Sequence, residues 1–380
     1  MFNFKIRITS HFTNINLGGD LMRLIGKDEI ENIAIGAALL GTGGGGDPYI
    51  GKLMAIQAVE KYGPIKLLSL DDIDDDDLIV PSAMMGAPTV MVEKIPSGKE
   101  ALVSFKSIEK VLGKPIKATM PIEAGGINSL LPLALAAELG LPVVDADGMG
   151  RAFPELQMVT FYIDGVSSTP MVLSDEKGNS IVLDTVDSLW AEKIARTATV
   201  TMGGSVMISI YPMLGKQVKE SSISQSLSLE QKIGEIITIG KKNNVNPIYE
   251  LLELLKGYKL FEGKVVDIER RTEGGFAKGV ALIQGLGENS HRTCRLNFQN
   301  EHLLAESDGK HLCMTPDLIT VLDAETGIPI TTEGIRYGAR CVVIGIPCDN
   351  KWRTKRGIEL VGPRYFGYDT DYIPVEELQN

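Results

Sequence analysis

The chain has 380 residues, of which 44% are hydrophobic and 23% charged, and its formal net charge is −11. This composition excludes a disordered chain and is typical of a globular protein long enough for two domains. Nucleic acids and anionic membranes attract Lys and Arg, so the negative charge argues against both as partners.

Neither secretion nor membrane insertion is expected. The first 21 residues lack the apolar core of a signal peptide, and no run of about eighteen apolar residues predicts a transmembrane helix. Four scattered cysteines do not form a disulfide framework in a chain of this size. We therefore expect a cytoplasmic protein, and we treat residues 1–21 as an extension outside the fold.

Two helices are predicted first, joined by a glycine-rich segment. Apolar residues at helical spacing predict a helix that begins at Lys27 and ends at Gly41. A second helix is predicted over Tyr49–Tyr62, with Asp47 as its N-cap and Pro48 at its first position. The segment between them contains the spacing G-x-G-x-x-G, but a helix and not a strand precedes it, so the dinucleotide fingerprint is not met. A tight turn and a ligand-binding loop remain equally open, the second using Thr42, Gly43, Gly44 and Gly45.

The next elements alternate between strand and helix. Strands are predicted at residues 64–70 and from Leu78, with the exposed acidic run Asp71–Asp77 between them. Beyond the second strand, Thr89 is a candidate ligand-binding residue. A surface helix is predicted over Glu100–Leu112.

The central segment has the strongest functional signal. Residues 117–122 and 142–145 are predicted strands, and a helix over Ser129–Leu139 joins them. Such a unit favours a parallel sheet, and parallel sheets bind ligands beyond the carboxyl ends of their strands. Both strand ends here are rich in glycine and polar residues, namely Glu123, Gly125, Gly126, Asn128, Asp145, Asp147, Arg151 and Glu155.

We predict catalytic roles for the five charged residues of this set. Neighbouring carboxylates can have their pKa values driven apart, which provides one acid and one base. Asp147 or Glu123 would be the base, Arg151 would bind an anionic group of the substrate, and glycine amides would stabilise developing charge. A divalent metal ion held by Asp145 and Asp147 is an optional variant. In the structural alternative, the two aspartates cap loops and Arg151 pairs with Glu155 one turn later.

The predicted secondary structure of the rest of the chain changes at residue 258, from mixed strands and helices to short strands. Before it, strands are predicted at residues 159–162, 171–173 and 180–183 and across 197–210, and helices at 188–195, 227–240 and 247–257. From 258 to 352, short β-branched runs alternate with turn residues, which predicts a small barrel or sandwich. We assign residues 22–257 to an α/β domain and 258–352 to a β-barrel domain, with 353–380 returning to the first.

Eight motifs stand out along the chain, namely Gly41–Pro48, Gly86–Val90, Glu123–Asn128, Asp145–Met158, Glu273–Gly279, Asn300–Glu301, Thr315–Ile319 and Gly362–Tyr368. Together they resemble the S-methyl thiohydantoin desulfurase-like family over residues 22–368. The resemblance implies an amino-terminal three-layer α/β domain, a smaller β-barrel domain, and association with hydantoinase/oxoprolinase proteins. It also implies hydrolytic removal of sulfur from a thiohydantoin-like ring, and it provides no established catalytic residues.

The resulting hypothesis is a hydrolase that acts on a small cyclic amide or thioamide by carboxylate-assisted attack of water. We expect a small-molecule substrate and a homo-oligomer. One alternative is a non-catalytic subunit that partners a hydantoinase/oxoprolinase-type enzyme. Another is a small-ligand or nucleotide-binding protein that uses the glycine-rich loop.

Overall fold

The computed structural model describes residues 23–86, 90, 94, 97–273 and 276–380, and these form a mixed α/β structure with several sheets. The helices are α1 Lys27–Leu40, α2 Pro48–Tyr62, α3 Glu100–Leu112, α4 Leu131–Leu139, α5 Thr160–Ile163, α6 Ser188–Thr201, α7 Gly215–Ser221, α8 Ser226–Asn243, α9 Ile248–Leu255, α10 Lys355–Val361 and α11 Val375–Leu378. The strands are β1 Arg23–Ile25, β2 Ile65–Leu68, β3 Leu78–Gly86, β4 Ala118–Met120, β5 Val143–Val144, β6 Ala146–Asp147, β7 Met171–Ser174, β8 Ser180–Leu183, β9 Ser205–Ser209, β10 Met213–Leu214, β11 Ile223–Ser224, β12 Tyr258–Glu273, β13 Phe276–Gly285, β14 Thr293–Gln299, β15 Glu301–Ser307, β16 Lys310–Met314, β17 Leu318–Asp323, β18 Pro329–Ile330 and β19 Arg340–Ile346.

The first sheet has the order β1-β2-β5-β4-β3-β9-β7-β8, with β10 added against β3. Its central strands β2, β5, β4 and β3 are parallel, whereas the outer strands are antiparallel. The predicted parallel strand–helix–strand unit is therefore confirmed as β4–α4–β5, with Thr119 paired to Val143.

Both faces of this sheet are covered, because successive side chains of a strand point in opposite directions. On one side, Val80 of β3 packs with Phe105 of α3 and with α4. On the other side, Ile79 joins the largest core, which includes Ala191 of α6.

The second large sheet is antiparallel throughout and has the order β16-β15-β14-β13-β12-β19-β17-β18. The predicted closed barrel is not found among the described residues, since β16 and β18 end the sheet without pairing to each other. The sheet does curl, and the His302 ring of β15 reaches the Ile319 carbonyl of β17, with 3.1 Å between Nδ1 and the oxygen. The spacing of turns predicts strands but contains no information about closure, which depends on pairing between the first and last strands.

Two local predictions were wrong. Residues 160–163 form the short helix α5 instead of a strand, and α6 continues to Thr201, where a β-like segment was predicted from residue 197. In α6 the hydroxyl groups of Thr199 and Thr201 donate to the carbonyls of Ala195 and Thr197. Short apolar or β-branched runs do not distinguish strand from helix by themselves.

Within the described ranges, none of the helices has the combination of length and apolar composition that crossing a bilayer requires.

Candidate active site

A cavity of about 60 Å³ lies at the carboxyl ends of the parallel strands β3 and β4, where the turn between β14 and β15 covers it. Its wall includes the end of β3, the segments that follow β4 and β6, and residues of α6 and β9. The charged residues that line it, in the described part of the chain, are Glu123, Glu155, Arg196 and Glu301. Three carboxyl groups thus face the cavity with one guanidinium group.

Glu123 directly follows β4 and is only 5% exposed. Its Oε1 accepts a hydrogen bond from Asn128 Nδ2 at 2.7 Å, and its Oε2 accepts one from the Phe153 amide at 3.3 Å. Burial raises the pKa of this carboxyl to about 7, although the two hydrogen bonds oppose the shift. The repulsion from Asp147 adds to it. At neutral pH, Glu123 therefore populates both its acid and its carboxylate form.

Glu301 is the first residue of β15 and is 2% exposed. Its Oε2 has no hydrogen-bond partner among the described residues. Burial, reinforced by repulsion from Glu123, holds its pKa well above the ordinary value, and the opposing attraction of Arg151 does not offset this. Burial therefore favours the protonated form of the Glu301 carboxyl. Sequence reasoning missed it as a site residue, although it belongs to one of the quoted family motifs.

Asn300 positions Glu301 by making the turn before it. Its backbone adopts a left-handed conformation with φ of 59°, which Asn tolerates better than most residues. Its side-chain oxygen accepts from the Ala277 amide at 2.8 Å, and its own amide donates to the Ala277 carbonyl at 2.7 Å. An Asn between two strands, followed by an acidic residue, is the local signal that could have indicated this turn.

The glycine-rich loop after α1 forms hydrogen bonds with residues next to the β14–β15 turn. The Thr42 carbonyl accepts from the His302 amide at 2.8 Å, and the Gly43 carbonyl accepts from Thr332 through its amide and its hydroxyl. A Cβ atom on Gly44 would lie 2.0 Å from Glu301 Oε1. The glycine at this position therefore provides the room in which the Glu301 side chain lies.

The Gly125–Gly126 loop packs directly on the first glycine loop. The Gly45 carbonyl accepts from the Ile127 amide at 2.9 Å, and a Cβ atom on Gly126 would lie 2.1 Å from the Gly45 oxygen. Asn128 follows in the 3-10 turn Gly126–Ser129, and its Oδ1 accepts from the Met84 amide at 2.7 Å. Asn128 thus joins the end of β3 to Glu123.

Arg151 is fully buried and joins the two sheets. Its five N–H groups have five acceptors, which are the Thr42 hydroxyl and the carbonyls of Ala152, His302, Pro316 and Asp317, at distances between 2.9 and 3.4 Å. Its guanidinium also stacks on the Phe153 ring, 4.4 Å from the centroid. Burial lowers its pKa to about 10. With every donor engaged, Arg151 has none left for an anionic substrate group.

Two protein-family models match the chain. The model described as "S-Me-THD-like, N-terminal domain" matches residues 28–185, and the one described as "S-Me-THD-like, C-terminal domain" matches residues 186–375. The chain belongs to the S-Me-THD-like family. The resemblance to S-methyl thiohydantoin desulfurase-like proteins is thereby confirmed.

The fold of this S-Me-THD-like protein is also that of a solved structure. An X-ray crystal structure of a protein from Chromobacterium violaceum matches with a TM-score of 0.75 and 24% sequence identity, covering 93% of this chain and 99% of that chain. At this identity the likeness concerns the fold alone. No curated protein matches the chain.

The structure separates the two predicted aspartates of the S-Me-THD-like chain from the cavity. Asp145 accepts from the Ser228 amide at 3.0 Å and from its hydroxyl, so it caps the start of α8, and it lies 3.5 Å from Arg23 Nη1. Asp147 Oδ2 accepts from the amides of Ala124, Met149 and Gly150 at 2.7 to 2.9 Å. Burial nevertheless raises the Asp147 pKa to about 6. Both residues therefore have the loop-capping positions of the structural alternative.

Some of the remaining predicted site residues line the cavity, and others do not. Glu155 lines the cavity but accepts from the Tyr365 hydroxyl at 2.8 Å, and it does not pair with Arg151. Gly45 and Asn128 line the cavity, whereas Thr42, Gly43, Gly44, Gly125 and Gly126 do not. Thr89 lies outside the described residues.

Glu230 of α8 is a further buried carboxyl that sequence reasoning missed. Its Oε1 accepts from the Ser129 hydroxyl at 2.6 Å, and the same hydroxyl accepts from the Gly125 amide at 2.9 Å. Burial holds the Glu230 pKa well above its ordinary value. An acidic residue three positions after Leu227, on the buried face of a predicted helix, was the available signal.

A metal-binding variant gains no support from the ligand geometry. Among the described residues, no three His, Cys, Asp or Glu side chains are grouped so that they could hold a metal ion. Asp145 is engaged with Arg23 and Ser228. Asp147 Oδ2 accepts from backbone amides, whereas its Oδ1 has no hydrogen-bond partner among the described residues.

Proposed function

We propose that the chain is a hydrolase that removes sulfur from, or opens, a small cyclic amide or thioamide of the thiohydantoin or hydantoin type. The observation that carries this proposal is that Glu123 and Glu301, two buried carboxyl groups from different sheets of the protein, line one cavity. Membership of the S-Me-THD-like family supports the substrate class.

The two carboxyl groups suit opposite roles. Glu301 has a pKa held well above its ordinary value and supplies the acid, whereas Glu123 has a pKa of about 7 and supplies the base. Each charge disfavours the other, which favours a state with one proton on the pair. Of the two bases that the sequence left open, this assignment uses Glu123, and it adds Glu301 as the acid.

The reaction begins with addition of water to the ring carbon that bears sulfur. Glu123 takes a proton from the water as its oxygen bonds to that carbon. Glu301 gives its proton to the sulfur of a C=S group or, in an S-methyl ring, to the ring nitrogen of the C=N bond. The carbon–sulfur bond then breaks as the new hydroxyl returns its proton to Glu301 and becomes a carbonyl. The departing sulfur takes the proton held by Glu123, which restores both residues. In ring opening, Glu301 gives its proton to the carbonyl oxygen, and the ring nitrogen leaves in place of sulfur and takes the proton held by Glu123.

Turnover by the purified protein tests this proposal. We expect release of sulfide or methanethiol, or ring opening, when the protein is incubated with a panel of thiohydantoins and hydantoins, with and without a chelator. Glu123→Gln and Glu301→Gln should each lower kcat by roughly 10² to 10⁴, the usual contribution of a positioned acid or base. Glu306→Gln is the matched control, because Glu306 lies on the same strand as Glu301 and does not line the cavity.

Two outcomes would count against it. A wild-type protein without turnover across the panel would refute the substrate class. Full activity in either Gln variant would show that the replaced residue is not the acid or base. Asp147 would then be the remaining candidate for the base.

Association with a hydantoinase/oxoprolinase-type protein is the accompanying proposal. It is supported by the family resemblance, and co-purification of the two proteins is its test. Turnover that requires the second protein would identify this chain as a non-catalytic subunit. Analytical ultracentrifugation would test the expected homo-oligomer.

A further inference from the structure

A second and much larger cavity lies on the antiparallel sheet, between β12, β13 and β14 and the segment after Gly362. Its volume is about 530 Å³, within the range of small-molecule sites and about nine times that of the candidate active site. The two cavities share no lining residue. Gln299 lines this cavity, whereas Asn300 and Glu301 line the active-site cavity, so the β14–β15 turn separates them.

The charge of this second cavity is opposite to that of the chain. Among the described residues, the cations Arg270, Arg271, Lys278 and Arg295 line it together with Glu269. Glu273 lies beside it, 3.1 Å from Arg271 Nε and 3.8 Å from Lys278 Nζ. Glu306 lies opposite Arg295 in the pairing of β14 with β15. Four positive charges therefore meet three negative ones, in a protein whose net charge is −11.

Two of the four cations have neutral hydrogen-bond partners. Arg270 Nη2 donates to the carbonyls of Thr332 and Ile335, and Arg295 Nε donates to Asn297 Oδ1 at 3.3 Å. These contacts orient both guanidinium groups through neutral acceptors, and Arg295 also lies opposite Glu306. Charged groups held in this way are prepared to bind an anion, because little side-chain freedom remains to be lost.

The wall of the cavity also offers aromatic rings. Phe366 and Tyr368 line it from the carboxyl-terminal segment, and both are half-buried. Phe298 lines it from β14, where the absence of a side chain on Gly279 leaves room for its ring, since a Cβ atom there would lie 2.5 Å from Phe298 Cζ. Aromatic surfaces beside guanidinium groups suit a planar ring that carries negative charge.

We propose that this cavity binds a small ligand in which an aromatic ring is joined to at least two negative charges, as in a nucleoside diphosphate or an aromatic dicarboxylate. The guanidinium groups that line the cavity contact the negative charges of such a ligand. The rings of Phe366 and Tyr368 contact its aromatic part.

Calorimetric titration of the full chain tests the proposal, with ADP and isophthalate as probes. Pyrophosphate, adenosine and a short polyglutamate peptide are comparison ligands. We expect ADP or isophthalate to bind with a Kd below about 1 mM. If ADP binds, pyrophosphate and adenosine should each bind at least about tenfold more weakly than ADP. Pyrophosphate lacks the aromatic ring, and adenosine lacks the negative charges.

Two substitutions separate the charged and aromatic contributions. Arg295→Gln should weaken the binding of the better probe by about tenfold, whereas Arg340→Gln, an exposed arginine of the same sheet outside the cavity, should change it by less than about twofold. Phe366→Leu should weaken ADP or isophthalate and leave pyrophosphate unchanged. Circular dichroism would verify that each variant is folded.

Three results would overturn the proposal. The first is that neither probe binds below about 1 mM. The second is that pyrophosphate or polyglutamate binds at least as tightly as both probes, which would identify a simple anion site or a peptide site. The third is an equal effect of Arg295→Gln and Arg340→Gln.

Discussion

Replacing Glu123 by Gln should stabilise the protein above neutral pH while it removes the proposed base. Burial raises the pKa of Glu123 from 4.5 to about 7, so the folded protein binds this proton more tightly than the unfolded chain does. At about 1.4 kcal/mol per pH unit, the difference corresponds to roughly 3 kcal/mol. The stabilisation is fully present below about pH 4.5 and is lost as the pH rises to about 7.

A glutamine cannot ionise and therefore avoids this loss. It keeps an acceptor for Asn128 but no longer accepts from the Phe153 amide, which costs about 1 kcal/mol at every pH. The raised pKa of Asp147 adds a pH dependence to both proteins. The difference in pH dependence between the two proteins therefore reports Glu123 together with its repulsion of Asp147 and Glu301.

Urea unfolding of both proteins at about pH 5 and about pH 8.5 provides the measurement. Between these values, the free energy of unfolding of the wild type should fall by roughly 3 kcal/mol more than that of Glu123→Gln. Glu288→Gln, an exposed carboxylate, is the control and should change stability by no more than about 0.5 kcal/mol. The same pH dependence in wild type and Glu123→Gln would refute the reasoning.

Three further substitutions test the supporting residues. Arg151→Lys should lower the free energy of unfolding by about 3 to 5 kcal/mol in a denaturant titration, because Lys leaves several buried acceptors without a donor. Gly44→Ala should lower kcat by about tenfold or more in the turnover assay, since its Cβ would displace the Glu301 carboxyl. Asp145→Asn should lower the unfolding free energy by about 1 to 2 kcal/mol and leave kcat unchanged, because it weakens the cap of α8 and removes the ion pair with Arg23.

Each of these has a control and a contrary outcome. Arg340→Lys is the exposed control for Arg151→Lys, and a raised KM with unchanged stability would restore Arg151 as an anion-binding residue. Gly334→Ala controls for Gly44→Ala, because its Cβ would lie no closer than 3.2 Å to a neighbour. An inactive but fully stable Asp145→Asn would show that this residue acts in the chemistry.

Local sequence signals predicted the elements that local interactions determine. The helix α2 begins at Pro48 with Asp47 as its cap, whose Oδ1 accepts from the Tyr49 amide at 2.8 Å, as the sequence indicates. The helix α3 has the predicted bounds Glu100–Leu112. Capping residues and apolar periodicity act over a few positions, so they can be recognised without knowledge of the rest of the chain.

Of the predicted site residues, Glu123, Asn128, Gly45 and Glu155 line the cavity. Glu123 and Asn128 follow β4 within a few residues, and their position beyond a buried strand indicated a site. The sequence did not reveal that Asp145 caps a helix that begins some eighty residues later. Nor did it reveal that Arg151 donates to Thr42, His302, Pro316 and Asp317, all of them distant in sequence. Hydrogen-bond partners so far apart in sequence are brought together by tertiary packing, so a local sequence pattern cannot predict them.

Glu301 shows most clearly what only the tertiary structure decided. The sequence alone predicted an α/β protein with carboxylates at the ends of parallel strands, and its motifs indicated the family. Glu301 lies 178 positions after Glu123, yet both line the same cavity. This is because the β14–β15 turn packs on the Gly41–Gly46 loop. Whether the antiparallel sheet closes was likewise decided by the pairing of its edges. Both outcomes depend on contacts between distant segments, and the free energy of those contacts exists only once the chain has folded.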